Sequence, residues 1–212
     1  MKKLFSPIVV LLLIFGCKVQ QSTSTNNEEG TAPFYGAFNQ NAIEWYLKKE
    51  QSIESESSED KVSFMGRTYQ AKSEKLFRTE LSDFHPLPVV NYVYDDATRK
   101  VMEVHYEWDI INHLPKEEKY NVRIESKTRA EEFVSYFETL NTSITQQLGE
   151  GAREGSLTMD TTLEYEFIEV TDKWESVNLT CELYMIFSNH HEKKGVMEIK
   201  PTHRIRCKLK WK

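Results

Sequence analysis

Glycine is scarce in this chain, 8 in 212 residues, and none stands in a run able to cradle a phosphate. Cysteine is scarcer still, at 3, with no pair at zinc-finger spacing. No serine sits in G-x-S-x-G, no S-x-x-K has its usual partners, and no H-E-x-x-H occurs. Nucleotide binding by a glycine loop, hydrolysis by those nucleophile motifs and zinc-dependent catalysis are therefore not expected, and neither a metal nor an organic cofactor is called for. Positive charge is in deficit: 27 Lys and Arg against 33 Asp and Glu give a net charge of −6. That balance argues against general affinity for nucleic acid but leaves room for a local basic patch. Past the first residues, no apolar run approaches the roughly 20 residues that cross a bilayer as a helix.

One short apolar run is present, at the start. Met1-Lys2-Lys3 is followed by a stretch from Leu4 to Phe15 broken only by Ser6 and Pro7. Its length suits the core of an export signal, and the two lysines hold that end on the cytoplasmic side. The run closes Leu13-Ile14-Phe15-Gly16-Cys17. An aliphatic residue, a small residue and then a cysteine resemble the lipobox of bacterial lipoproteins, with Ile14, Gly16 and Cys17 at the matching positions. Phe15 departs from the pattern, where a small residue is commoner. The resemblance covers residues 1–17 only. It implies cleavage of a 1–16 signal peptide, a diacylglycerol on the Cys17 thiol, further acylation of the freed amine by a chain such as palmitate, and a cell-envelope location. Lys18 after the cysteine implies the outer membrane if the cell is Gram-negative. Two or three acyl chains anchor far better than one, since each buried CH₂ contributes about 0.8 kcal/mol.

Residues 18–33, KVQQSTSTNNEEGTAP, lack aromatics and are rich in Ser, Thr, Asn and Gln. Such a composition buries too little to fold, so 17–33 reads as the lipidated cysteine and a flexible stalk. Residues 34–212 are long enough for one well-cored domain, with 34–114 and 115–212 as candidate halves.

Within that domain a helix is expected over Phe38–Lys49, capped by Asn39 or Asn41. The acidic run Gln51–Asp60 reads as a solvated loop and Val62–Ala71 as a short strand. A hairpin follows: Val89–Tyr94, a turn over Asp95–Lys100, and Val101–Asp109. On the return strand Met102, Val104, Tyr106 and Trp108 alternate with Glu103, His105, Glu107 and Asp109, which predicts a sheet with one wet face. Thr128-Arg129-Ala130-Glu131 forms a capping box. Phe133, Phe137, Leu140, Ile144 and Leu148 make one buried helical stripe after it, which Gly149 terminates. Gly149–Gly155 reads as a turn, and strands are expected at Thr161–Thr171, Trp174–Ser188 and His203–Lys212. The fold class is α+β: antiparallel sheet with two main helices on one face. The run helix, strand, hairpin and closing inward Trp (Trp108, Trp211) occurs twice, suggesting a duplicated unit.

Three sets of residues could carry function. Cys17 is the lipidation site. Cys181 and Cys207 lie on like-facing positions of the last two long strands, and a loop symmetric about residue 194 would set them opposite each other as a candidate disulfide. Arg204, Arg206, Lys208, Lys210 and Lys212 form an outward basic stripe. It reads either as protection of an edge strand or as a docking strip for an anionic partner. Arg206 would face Glu182 in the same register. The histidines, His85, His105, His113, His190, His191 and His203, show no ordered ligand spacing. The functional expectation is a membrane-anchored lipoprotein with a non-catalytic binding or scaffolding domain, whose partner is an envelope protein or glycan. The alternatives are a lipid or small-molecule carrier with an apolar groove, and a hydrolase of envelope polymers.

Overall fold

A computed structural model describes residues 33–57, 71–78, 87–109, 111–112, 127–160 and 162–212. The expected signal peptide, Cys17, the expected stalk up to residue 32, the strand expected from Val62, His85 and His113 lie outside the described residues, as does the Thr128 side chain.

The described elements run α1 (Ile43–Gln51), β1 (Glu56–Ser57), β2 (Ala71–Phe77), β3 (Val89–Asp95), β4 (Val101–Asp109), α2 (Lys127–Leu148), β5 (Ala152–Asp160), β6 (Phe167–Glu175), β7 (Leu179–Ser188), β8 (Glu192–Lys194), β9 (Met197–Ile199) and β10 (Thr202–Trp211). Eight strands form one sheet in the order β1-β2-β3-β4-β10-β7-β6-β5, every described pairing antiparallel. β8 and β9 make a separate two-stranded hairpin. The architecture is α+β. β1 to β4 form one meander and β5, β6, β7 and β10 another, and their final strands meet at the centre.

α2 forms where its stripe predicts. Phe133, Phe137, Leu140 and Ile144 are fully buried, and Leu148 packs at their margin. The helix begins at Lys127, one residue before the expected cap. Gly149 ends it with φ +82° while its N–H donates to the Thr145 carbonyl at 2.9 Å. α2 lies on the sheet face that carries Trp108, Phe187 and His203, touching them through Tyr136 and Phe133. α1 sits on that same face, with Tyr46 against Tyr92 at 4.9 Å between ring centroids. One continuous core takes in both helices and the inward residues of β3, β4, β6, β7 and β10.

Several expectations are corrected. α1 starts at Ile43 rather than Phe38, and neither Asn39 nor Asn41 caps it. Ala42 is held extended by a bridge to Lys100, and the Ile43 N–H donates to the Arg99 carbonyl at 2.9 Å. The sheet end therefore satisfies a donor that a side-chain cap would otherwise serve. The helix also runs into the acidic stretch as far as Gln51, and two residues of that stretch pair with β2 as β1. β5 begins at Ala152, inside the expected turn. Gly155 lies within this strand at φ +87°, where any Cβ would collide with the Glu169 carbonyl. The segment expected to run from Trp174 to Ser188 is broken at Ser176, whose N–H and hydroxyl both donate to the Leu179 carbonyl, so β6 and β7 are separate strands.

Beneath the first meander lies a buried ion pair. The Glu50 carboxylate accepts from Arg78 Nη2 at 2.5 Å, Arg78 Nε at 3.0 Å, the Tyr92 hydroxyl at 2.5 Å and the Ser55 hydroxyl at 2.6 Å. The remaining Arg78 nitrogen, Nη1, donates to the Pro33 carbonyl. The Tyr35 and Tyr106 rings cover the guanidinium at 5.2 and 5.4 Å. Burial opposes both charges, but their mutual hydrogen bonds outweigh it, so the Glu50 pKa stays below the usual range. Two buried charges hold only when nearly every polar atom is satisfied, as here.

Candidate functional site

The face opposite the helices is polar, and its pattern follows from strand alternation. Inward positions of β10 (Ile205, Cys207, Leu209, Trp211) join the core, so Arg204, Arg206, Lys208 and Lys210 project from the other side. Register then sets neighbours in rows across β4, β10, β7 and β6. One row reads Asp109, Arg204, Ile186, Glu169 and the next Glu107, Arg206, Tyr184, Thr171. Below them come His105, Lys208, Glu182, Lys173 and then Glu103, Lys210, Thr180, Glu175. Strands about 4.8 Å apart and alternate residues about 6.8 Å apart make this a nearly regular grid of charges.

This placement corrects two readings of the basic stripe. β10 is central, paired on both sides, so its lysines do not guard an edge. Arg206 faces Tyr184 and Glu107, and Glu182 faces Lys208, because β7 and β10 pair symmetrically about residue 195 rather than 194. Each stripe residue has a carboxylate neighbour: Arg204 with Asp109 at 2.5 Å, Arg206 with Glu107 at 2.6 Å, and Lys212 with Glu175 at 2.8 Å. Lys208 and Lys210 share Glu103 at 3.2 and 3.9 Å. The acidic side of β4 is not simply wet either, for Glu103 and Asp109 are only 3% exposed beneath these cations. Burial pushes the Glu107 carboxyl up, yet the Arg206 hydrogen bond and charge, helped by Asn112 and Arg204, hold it below its ordinary value. Burial, together with a hydrogen bond donated to Glu169 at 2.9 Å, pushes the Tyr184 hydroxyl up to about 12.

Two adjoining depressions lie on this face. One, of about 610 Å³, is walled by His105, Glu107, Glu182, Tyr184, Arg206 and Lys208 over the backbone of Tyr106 and Cys207. The other, of about 310 Å³, lies among Lys173, Glu175, Thr180, Glu182, Lys208 and Lys210. Glu182 and Lys208 belong to both, so the two form a single trough running across β4, β10, β7 and β6. A trough of this kind offers fixed donors and acceptors to a polar partner. Glu182 was expected beside the stripe, opposite Arg206, and lies instead opposite Lys208; Tyr184 and Lys173 were not singled out from sequence, although the alternation of β6 and β7 places them beside the stripe.

The other candidates are dispersed. The Cys181 and Cys207 thiols are buried and free, with sulfurs 3.8 Å apart. Cys181 pairs with Leu209 and Cys207 with Leu183, so the thiols meet diagonally rather than face to face. His105 bonds to Glu103 at 2.9 Å, His191 to Glu198 at 3.1 Å, and His190 stacks on Tyr165 at 4.2 Å. His203 is buried on the inward face, stacked on Phe187 at 3.7 Å, with Nε2 2.8 Å from the Asn189 side-chain oxygen. Among the described residues no group of three His, Cys, Asp or Glu side chains is placed to hold a metal ion, and no helix is long and apolar enough to cross a membrane.

No protein-family model matches the chain, and no curated protein or solved structure matches it.

Proposed function

We propose that this chain is a membrane-anchored lipoprotein of the cell envelope whose α+β domain is a non-catalytic binding module. Acyl chains on Cys17 supply the membrane attachment, in the outer membrane if the cell is Gram-negative. The partner is an envelope protein that docks on the open face of the sheet. The observation that carries this reading is the trough itself. Its charged groups are held in place by one another and by the strand register, so little side-chain freedom is lost when a partner binds. Because the cations are matched by carboxylates, the complementary surface carries both signs rather than a plain run of negative charge. The two meanders, each preceded by a helix and meeting at β4 and β10, support descent from a duplicated unit.

The test is capture from the native membrane. The intact chain should bring down a specific protein, and Arg206→Glu with Lys208→Glu should lose it while keeping the fold. Recovery of the same protein by the reversed variant would refute the docking face. Cys17→Ser should move the chain to the soluble fraction, and retention in the membrane would refute the lipid anchor.

A further inference from the structure

The β8–β9 hairpin stands apart from the sheet and carries its apolar side chains outward. Its turn is Gly195-Val196, with Gly195 at φ +62°, as the first position of a tight hairpin turn permits. Val196 at the tip is fully exposed, Met197 is 70% exposed and Ile199 is 50% exposed. Lys193 and Lys194 precede the turn and Lys200 follows it. Lys194 and Lys200 bond to Glu192 and Glu198 at 2.6 and 3.6 Å. An isolated two-stranded hairpin gains little by exposing valine, methionine and isoleucine together to water. An apolar tip whose collar sets three lysines against Glu192 and Glu198 fits the boundary between lipid headgroups and acyl chains, where the tip sits in hydrocarbon and the net positive collar remains among anionic headgroups.

The topology puts this tip at a particular end of the molecule. The hairpin joins the end of β7 to the start of β10, and the end of β2 lies at that same end of the sheet. Arg78, directly after β2, holds the Pro33 carbonyl. The chain arriving from residue 32 therefore enters at the hairpin end. β2 and β10 are three strands apart, roughly 15 Å at ordinary strand spacing. The chain from Cys17 to Pro33 can reach at most roughly 55 Å, so both contacts are able to meet one surface. We propose that the β8–β9 hairpin inserts its Val196–Met197 tip into the surface of an anionic lipid bilayer, as a second contact that orients the domain. This rests on the lipid-anchor reading for its geometry, but the hairpin's own affinity for lipid does not depend on it.

The experiment uses the full chain on vesicles of phosphatidylethanolamine with phosphatidylglycerol, once with its native anchor and once carrying Cys17→Ser without the signal peptide. An environment-sensitive fluorophore is attached through Val196→Cys, and, as a control at the opposite end of the sheet, through Val177→Cys in the exposed β6–β7 turn. The probe at 196 should shift to the blue and be quenched by spin-labelled lipid in both forms, while the probe at 177 stays aqueous. Met197→Ser with Ile199→Ser should weaken partitioning of the unanchored chain about tenfold or more. A probe at 196 that remains aqueous on a chain held to the vesicle through Cys17 overturns the hairpin proposal and leaves the anchor standing. Partitioning through 196 by a chain that cells never acylate supports the hairpin and removes the anchor. A probe shielded only in native membranes and never on pure lipid means a protein occupies the tip, and overturns the lipid proposal.

Discussion

His203 should make the domain sensitive to mild acid. Its ring lies between Phe187, stacked at 3.7 Å, and Phe133, edge-on at 5.9 Å. Nε2–H donates to the Asn189 oxygen, and Nδ1 is buried with no protein partner in the structure. Burial, helped by the positive charge of Arg129, lowers the pKa from 6.5 to about 3. In the unfolded chain the ring protonates near pH 6.5, so the native state is favoured above that value and loses ground as pH falls from 6.5 toward 3. The loss is about 2 kcal/mol between pH 7 and pH 5 and about 3 kcal/mol by pH 4. In urea titrations followed by tryptophan fluorescence, the midpoint should drop by roughly 1 M between pH 7 and pH 5. His203→Phe keeps the stacking and gives up one hydrogen bond, so it should cost only about 1 kcal/mol at pH 7. Its midpoint should be nearly flat over the same pH interval. Other histidines and carboxylates titrate equally in both proteins, so the difference between the two slopes belongs to His203. Parallel slopes would refute the reasoning.

Two further outcomes follow from the core. Arg78→Met should destabilise the domain by about 3–5 kcal/mol, because Glu50 is left charged and buried without its partner. Adding Glu50→Gln should cost much less in that background than in the wild type, and additive losses in a double-mutant cycle would show that the two residues do not act as a pair. Burial and the neighbouring Cys181 sulfur raise the Cys207 pKa, which keeps that thiol protonated and slow to react. Unreduced protein should take up two alkyl groups at Cys181 and Cys207 only after unfolding. A requirement for reductant as well would establish a disulfide in place of the two thiols.

The sequence was most legible where one face of an element is buried along its whole length. The α2 stripe, the β3–β4 hairpin and the alternation of β10 all have this property, and their limits fall within a few residues of expectation. Period-two alternation does not distinguish an edge strand from a central one, however, since the outward residues are polar in both. The lysines of β10 read as edge guards for that reason, and only the pairing of β10 with both β4 and β7 shows that they form the middle of a surface. A shift of two residues in register leaves every residue on its own face. The sequence could thus bring Cys181 and Cys207 to the same side but not set their separation. β2, with the sequence AKSEKLF, buries only Leu76, so it carries almost no periodic signal and exists because β3 offers it a partner. Half of the candidate site was visible as the stripe. The carboxylates that balance it come from β4 and β6, remote in sequence, and no local pattern announces that match.

The position of β10 also bears on how the protein reaches its native state. β10 follows the other seven strands of the sheet in the chain, yet it lies between β4 and β7. Until it docks, the two meanders have nothing to join them into one sheet, and both present unpaired backbone to whatever is nearby. Completion of the fold therefore waits on a contact between residues about a hundred positions apart, such as Lys208 with His105. Long-range closure of this kind is slow, and the open intermediate is prone to pair with the wrong strand. Mispairing and aggregation are therefore more of a hazard to this chain at the docking of β10 than at any other step.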